Sequence, residues 1–341
     1  MSTPTPHHVF GPVPSRRLGR SLGVDPLPLK TCNFSCVYCQ LGRTRRRQLR
    51  RHSFVNISDI VSEIATTLAH HDRGTVDWIT FVGSGETTLY SRLGTLIRFV
   101  KTMSEIPVAV ITNGSLLHLP RVRRELEAAD AVLTGLDAGT SSLFRAVNRP
   151  HPELDFETHI GGLVDFGREH AGRLWVEVML VEGLNDSDDA LAAIAEVLRR
   201  VGPDEIHVTT PTRPPAEPWV RCPGDEAVAR AAAILGQVAP VSKPDAVDAA
   251  LDLDDDLVDA VFNIISRHPL GDAELERLLC DWAAGKVSGA LASLRSSGRV
   301  QAVERSGRRF WCAAGLDFPE ADDRSAVQVP KMRSDVVPAL V

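Results

Sequence analysis

Three thiols, Cys32, Cys36 and Cys39, fall within eight positions in the run CNFSCVYCQ (32–40). Side chains spaced this way converge only where a loop wraps around something compact. Soft sulfur donors select zinc or iron–sulfur clusters. A structural zinc site closes with a fourth Cys or His, and His52 is the nearby candidate for that place. An iron–sulfur cube held by only three thiolates instead leaves one iron open to a substrate or cofactor. Cys222, Cys280 and Cys312 are scattered singly and read as core thiols. Three clustered and three scattered cysteines indicate a metal site rather than a disulfide framework.

Such a loop needs a rigid scaffold, and the surrounding pattern supplies one. From about residue 20 to 236, short β-branched runs alternate with amphipathic helical stretches. The predicted strands are 21–27, 77–83, 108–114, 131–137, 174–180 and 205–211; the predicted helices are 58–70, 91–103, 119–128, 155–170, 187–201 and 225–237. Nearly all-apolar strands joined through helices indicate a parallel sheet with covered faces. In an α/β fold of this kind, doubly wound or barrel-like, ligands gather at the C-terminal strand ends. The polar motifs GSGETT (83–88), TNGS (112–115), LDAG (136–139) and TPTRPPAE (210–217) each follow a predicted strand, and the cysteines follow the first. Any one motif suits an ordinary βα turn; four in register around one face favour a site.

Residues 1–237 are therefore assigned to the βα core, 238–252 to a linker, 253–313 to a second unit and 314–341 to a disordered tail. The second unit reads as three helices and a hairpin, RVQAV and RRFWC joined by ERSG, which is the winged-helix order. Phe310 and Trp311 are expected to fill its small core. From Lys286 to Cys312 there are six basic residues and one acidic, so the unit suits nucleic acid, and equally a packing or peptide-docking role.

Charge and composition narrow the classes further. The formal net charge is −6, with 43% hydrophobic and 24% charged residues, which excludes a disordered chain and one coated in positive charge. Positive charge is instead local: six arginines lie between Arg43 and Arg51, directly after the cysteines, as a solvated loop or as phosphate contacts. No apolar run is long enough to span a bilayer, and no basic segment precedes an apolar one at the N-terminus, so no membrane and a cytoplasmic location are expected.

The run Cys32-x3-Cys36-x2-Cys39, with Tyr38 before the last cysteine, resembles the signature of the radical S-adenosylmethionine (SAM) superfamily. With the βα repeats and GSGE after the second strand, the likeness spans about residues 10–236. It implies a partial (β/α)6 TIM-like barrel of the radical SAM type, here with a small C-terminal winged-helix domain. It also implies a [4Fe–4S] cluster held by Cys32, Cys36 and Cys39, whose fourth iron chelates SAM. An electron donor such as flavodoxin or ferredoxin would drive cleavage to methionine and a 5′-deoxyadenosyl radical that abstracts hydrogen from a substrate.

Gly83, Ser84, Gly85 and Glu86 fall at the superfamily's glycine-rich motif, here GSGE in place of the commoner GGE. Its backbone carbonyls accept from the methionyl ammonium, and glycine permits the close approach. The resemblance places Asn113, Ser115 and Asp137 near the ribose hydroxyls and methionyl carboxylate, and adenine against Tyr38 and residues 209–212. Glu177 could face the pocket with Arg149 or Arg213 as partner. Arg16, Arg17 and Arg20 are candidate clamps for an anionic group or ordinary surface charge.

The opening GPVPSRRLGRSLGVDPLP, joined to TCNFSCVYCQLGRT, resembles a stand-alone group classed near the wyosine-forming tRNA enzymes. The substrate is therefore expected to be tRNA or another RNA, with a peptide or protein as the competing choice. An iron–sulfur redox-sensing DNA-binding regulator and a zinc-binding structural protein are the readings outside that enzyme class.

Overall fold

The computed structural model describes residues 7–15, 17–72, 74–242, 257–279 and 285–320. Its centre is an eight-stranded sheet: β1 (Val9–Ser15), β2 (Gly19–Val24), β3 (Trp78–Phe81), β4 (Val108–Thr112), β5 (Ala131–Gly135), β6 (Arg173–Met179), β7 (Glu205–Thr209) and β8 (Val241–Ser242). The strands lie side by side in chain order, so each crossover advances by one and the sheet stays open at β1 and β8. From β2 onward all pairs are parallel; β1 pairs antiparallel with β2. The six strands expected from sequence are β2 to β7, and the structure adds one at each edge.

Parallel strands require long crossovers, and these are α1 (Ile57–His70), α2 (Leu93–Met103), α3 (Pro120–Leu126), α4 (Ser141–Val147), α5 (Phe156–Glu169), α6 (Asp188–Val201) and α7 (Asp225–Leu235). Local chemistry sets their ends. Ser187 caps α6 by accepting from the Ala190 N–H at 3.3 Å, and Gly202 closes it in the left-handed region at φ 68°. Only α4 was not expected from the pattern.

Alternation along each strand divides the two sheet faces. Leu174, Val176 and Val178 of β6 join the main core with Val110, Val132 and Ile206. The opposite face carries a smaller cluster of Leu18, Ala109, Ala131, Leu133 and Trp175, with Trp78 and Ile111 against it. Toward the C-terminal strand ends this second face becomes polar, through Glu177 and His207, which lie in register with Gly135.

The C-terminal unit contains α8 (Leu257–Arg267), α9 (Asp272–Leu278), α10 (Val287–Ser296) and the hairpin β9 (Val300–Arg305) and β10 (Arg308–Ala313). Ser306 at φ 50° and Gly307 at φ 72° form the two-residue turn that such a hairpin favours. Trp311 is buried in the unit's core and donates to Asp272 at 2.7 Å; Phe310 is buried as well. Residues 314–320, placed by the sequence in a disordered tail, pack back against the cysteine loop: Arg43 N–H donates to the Asp317 carbonyl at 2.8 Å, and Leu316 is buried beside Leu41. Cys312 is buried as expected, Cys222 is exposed rather than a core thiol, and Cys280 lies outside the described residues, as do 243–252 of the expected linker, 253–256 of the second unit and 321–341 of the tail.

Phe10 reaches over β2, and a Cβ on Gly23 would lie 2.1 Å from its Cζ. Gly23→Ala should therefore lower stability by about 1–3 kcal/mol through overpacking. Urea unfolding of the single and double variants checks the mechanism: in a Phe10→Ala background most of the Gly23→Ala loss should disappear.

Candidate active site

The connection from residue 25 to residue 56, between β2 and α1, carries the three cysteines. It has no ladder of its own, so its backbone groups pair with neighbouring loops. Ser35 N–H reaches the Asn148 carbonyl at 3.1 Å, Val37 N–H the Val147 carbonyl at 2.9 Å, and Gln48 N–H the Cys32 carbonyl at 3.1 Å. In the other direction, Glu86, His151 and Glu217 N–H groups donate to the carbonyls of Thr31, Asn33 and Val37. The residues after β3, α4 and β7 thus hold this segment through their backbone groups.

The thiols point into that enclosure. Lys30, itself at φ 60°, donates through Nζ to Cys39 Sγ at 2.9 Å. Phe34 N–H faces Cys32 Sγ at 3.4 Å, and the amides of Asn113 and Asn148 face Cys32 and Cys36 Sγ at 3.8 and 3.6 Å. Burial pushes the Cys32 thiol up to about 12 and Cys36 higher still. Burial also opposes the Lys30 ammonium, but the charges of Cys39, Cys32 and Cys36 outweigh it and hold the lysine above its ordinary value. His52 does not join them: its backbone pairs beside Tyr90 and its ring packs on Phe54. Among the described residues, no three His, Cys, Asp or Glu side chains are arranged to hold a single metal ion.

The GSGE segment lies alongside the start of the cysteine loop. Gly85 bridges Thr31, and a Cβ on it would fall 1.7 Å from the Thr31 carbonyl oxygen, so only glycine fits. Ser84 N–H and Oγ both donate to buried Asp25, which also takes Arg267 at 3.1 Å. Glu86 turns its carboxylate inward: it accepts from Thr88 N–H at 2.9 Å, Thr112 Oγ1 at 2.5 Å and Asn113 N–H at 2.7 Å. Asn113 donates in turn to Asn33 Oδ1 at 2.8 Å, and Asn33 to Ser115 Oγ at 2.7 Å. Ser115 is fully buried, so its hydroxyl orients Asn33.

A cavity with about 300 Å³ of empty space opens beside the thiols, lined by Cys36, Tyr38, Asn113, Gly135, Asp137 and His159 among others. Asp137 is the polar anchor of this wall. It accepts from the Tyr38 hydroxyl, Asn148 Nδ2 at 2.6 Å and Met179 N–H at 2.9 Å. Burial raises its carboxyl above the ordinary value despite those donors. His159 stacks on Phe144 at 5.0 Å and meets Phe34 edge-on. Burial first, then nearby His118, lower its imidazole to about 4.

The Radical SAM superfamily matches residues 27–209, a span containing the cysteine loop, the GSGE segment and the cavity. This chain belongs to the radical SAM superfamily. Its sheet is the mostly parallel α/β arrangement of that superfamily, and it is an iron–sulfur enzyme that uses SAM. A UPF0026 protein of Methanocaldococcus jannaschii is 30% identical over 79% of this chain and 85% of its own length. GTPase Obg of Brachyspira hyodysenteriae is 39% identical over 65% of this chain, which spans only 32% of that relative. A radical SAM methyltransferase from Sphaerobacter thermophilus superposes with a TM-score of 0.49 at 21% identity, covering 65% of this chain and 66% of that one. No described helix of this radical SAM chain is long and apolar enough to cross a membrane.

Several polar residues take partners other than those expected. Glu177 lies on the sheet face that carries Trp175, outside the cavity lining, and its partner is Arg17 rather than Arg149 or Arg213. Those two pair with Glu217 and Glu274. Arg20 is half-exposed and pairs with Asp77 at 3.1 Å as ordinary surface charge, and Arg16 lies outside the described residues. Of the arginine run, Arg43 clamps buried Glu217 at 2.7 Å, Arg51 holds Glu125 at 2.5 Å, and Arg47 caps two carbonyls. Thr209 donates to Met179 Sδ at 3.7 Å. Asn33, Asn148, Lys30 and Asp25 were missed from sequence; their signal is only proximity to a motif already singled out.

Two outcomes are expected. Gly85→Ala should lose bound iron after anaerobic reconstitution, whereas Gly83→Ala, whose Cβ would press on the end of the Leu27 side chain (Cδ1 at 2.5 Å) rather than on backbone, should retain more; colorimetric iron analysis separates them. Because the folded pKa of His159 lies below 6.5, the unfolded chain takes the proton first, and stability is lost as pH falls from 6.5 toward 4. Thermal melts of His159→Phe should show a shallower loss across that window.

Proposed function

We propose that Cys32, Cys36 and Cys39 hold a [4Fe–4S] cluster and that the chain cleaves SAM reductively to act on an RNA substrate. When bound, the cluster would supply one-electron reduction of SAM, with the electron drawn from an external donor such as flavodoxin or ferredoxin, so that the sulfonium could cleave to methionine and a 5′-deoxyadenosyl radical able to take a hydrogen atom from the substrate. The observation that carries this reading is the trio of half-buried thiols on one loop, with Cys36 lining the open cavity. Burial disfavours free thiolates there, so a cationic group that binds sulfur fits the donor set. His52, the one nearby candidate for a fourth ligand in a closed zinc site, is turned elsewhere.

In this reading the chain's own residues position SAM. The Gly83–Gly85 backbone, held by Asp25 and by Thr31, would accept from the methionyl ammonium. Glu86 would act through Asn113, which it fixes at the cavity edge, and Ser115 through Asn33. Tyr38 and Asp137, joined by a hydrogen bond, would form one wall for the nucleoside. RNA is supported by the exposed Arg46 and Arg50 of the cysteine loop and by the basic hairpin of the C-terminal unit, read here as a winged helix, with Arg308 and Arg309 exposed at the start of β10.

Anaerobically reconstituted and reduced protein given SAM should produce 5′-deoxyadenosine, measured by mass spectrometry, and Cys36→Ala should reduce it to background. Bulk tRNA should raise the yield. A fully loaded wild-type protein giving no product would overturn the reading, and a yield indifferent to tRNA would remove RNA as its substrate.

A further inference from the structure

A second depression lies on the other side of the cysteine loop from the cavity. It is lined by Ser35, Arg43, Thr44, Arg45, Arg47, Arg149 and Asp317, with about 680 Å³ of empty space. Among the described residues, four arginines line it against one carboxylate. Such an excess of planar forks is suited to oxyanions with several acceptor oxygens.

Three of these arginines are held in place from behind. Arg43 donates Nε and Nη2 to the Glu217 carboxylate at 2.7 and 2.8 Å, and Arg149 pairs with the same carboxylate, which is fully buried behind the groove. Burial alone would raise that carboxyl; Arg43 and Arg149 hold it below its ordinary value. Arg149 occupies the left-handed region at φ 46°, which non-glycine residues seldom adopt. Its carbonyl and that of Pro150 take Arg47 Nη1 at 2.9 and 2.8 Å, and among the described residues Arg47 has no carboxylate partner. Arg45, with a side chain 78% exposed, pairs with the Asp317 carboxylate at 3.0 Å, its one carboxylate partner among the described residues.

The groove and the thiol cavity share a wall. Ser35 and Arg149 line the groove, while their chain neighbours Phe34, Cys36 and Asn148 line the cavity. We propose that this groove binds a phosphate group, with Asp317 as an occupant of its rim that an arriving phosphate displaces from Arg45. A phosphate there lies one residue along the chain from the thiol enclosure, so the groove would anchor a phosphorylated substrate beside the reacting centre. That purpose rests on the functional reading above; the binding itself does not.

The test uses reconstituted full-length protein with matched iron content. Binding of an end-labelled single-stranded RNA is followed by fluorescence anisotropy across a salt series, and binding of inorganic phosphate by phosphorus NMR line broadening. Arg45→Ala should weaken binding several-fold and lower the slope of log K against log salt by about 0.7 for RNA. Asp317→Asn, which keeps the backbone bond to Arg43, should tighten binding several-fold. A purely structural role for Asp317 would not produce that gain. Response in both arms assigns the groove to a polynucleotide phosphate, and response to inorganic phosphate alone assigns it to a small phosphorylated ligand. If neither substitution alters either arm, the proposal is wrong. The outcome is independent of SAM cleavage: groove binding intact in a protein that makes no 5′-deoxyadenosine would sink the enzymatic reading and leave the groove standing.

Discussion

A long connection without regular secondary structure must still satisfy its buried backbone groups, and here that requirement organises everything around the thiols. The segment from residue 25 to residue 56 far exceeds an ordinary βα loop. Its amides and carbonyls are met by the residues after β3, α4 and β7 rather than by a ladder of its own. The close approach at Gly85 is the tightest of these contacts, since the Thr31 carbonyl both bridges the GSGE segment and accepts Glu86 N–H at 2.8 Å. The same step fixes where Cys32 begins and where the Gly83–Gly85 backbone is exposed.

Electrostatics follows from that enclosure. Three thiols and the carboxylates of Asp25, Glu86, Asp137 and Glu217 are gathered at one end of the sheet, where isolated negative charge is costly. The chain answers with fixed donors. Arg267 meets Asp25, Arg43 and Arg149 meet Glu217, amides and hydroxyls meet Glu86 and Asp137, and Lys30 meets Cys39. The arginines after the cysteines thus serve first as internal counter-charges. Their guanidinium planes line the groove because they are already held by what lies behind them.

The legible parts of the sequence were those in which residue type alone carries the constraint. The cysteine spacing, the glycine at 85 and the apolar strand runs are of this kind. β1 was hidden because VFGPVPS breaks strand alternation with Gly11 and two prolines, and a bulge lies between Phe10 and Val13. With seven residues, α4 is too short for a helical period to stand out. Asn33 and Asn148 are ordinary loop residues until folded, because their partners Asn113 and Cys36 lie 80 and 112 positions away. Arg17 and Glu177 meet across the same kind of distance, 160 positions, whereas the expected partners Arg149 and Arg213 lie nearer in the chain.

The contact of Asp317 with the cysteine loop has a temporal meaning as well. Arg45 and Asp317 are separated by 272 positions, so a ribosome adding about 5–20 residues per second needs roughly 15–55 s to make the second after the first. Through that interval the thiols are already synthesised while the segment that covers one side of their loop does not yet exist. Leu41 and Cys39 also lack Val303, Cys312 and Leu316 until then. The order of synthesis therefore leaves the loop uncovered on that side while the core around it folds, and completion of the C-terminal hairpin closes it.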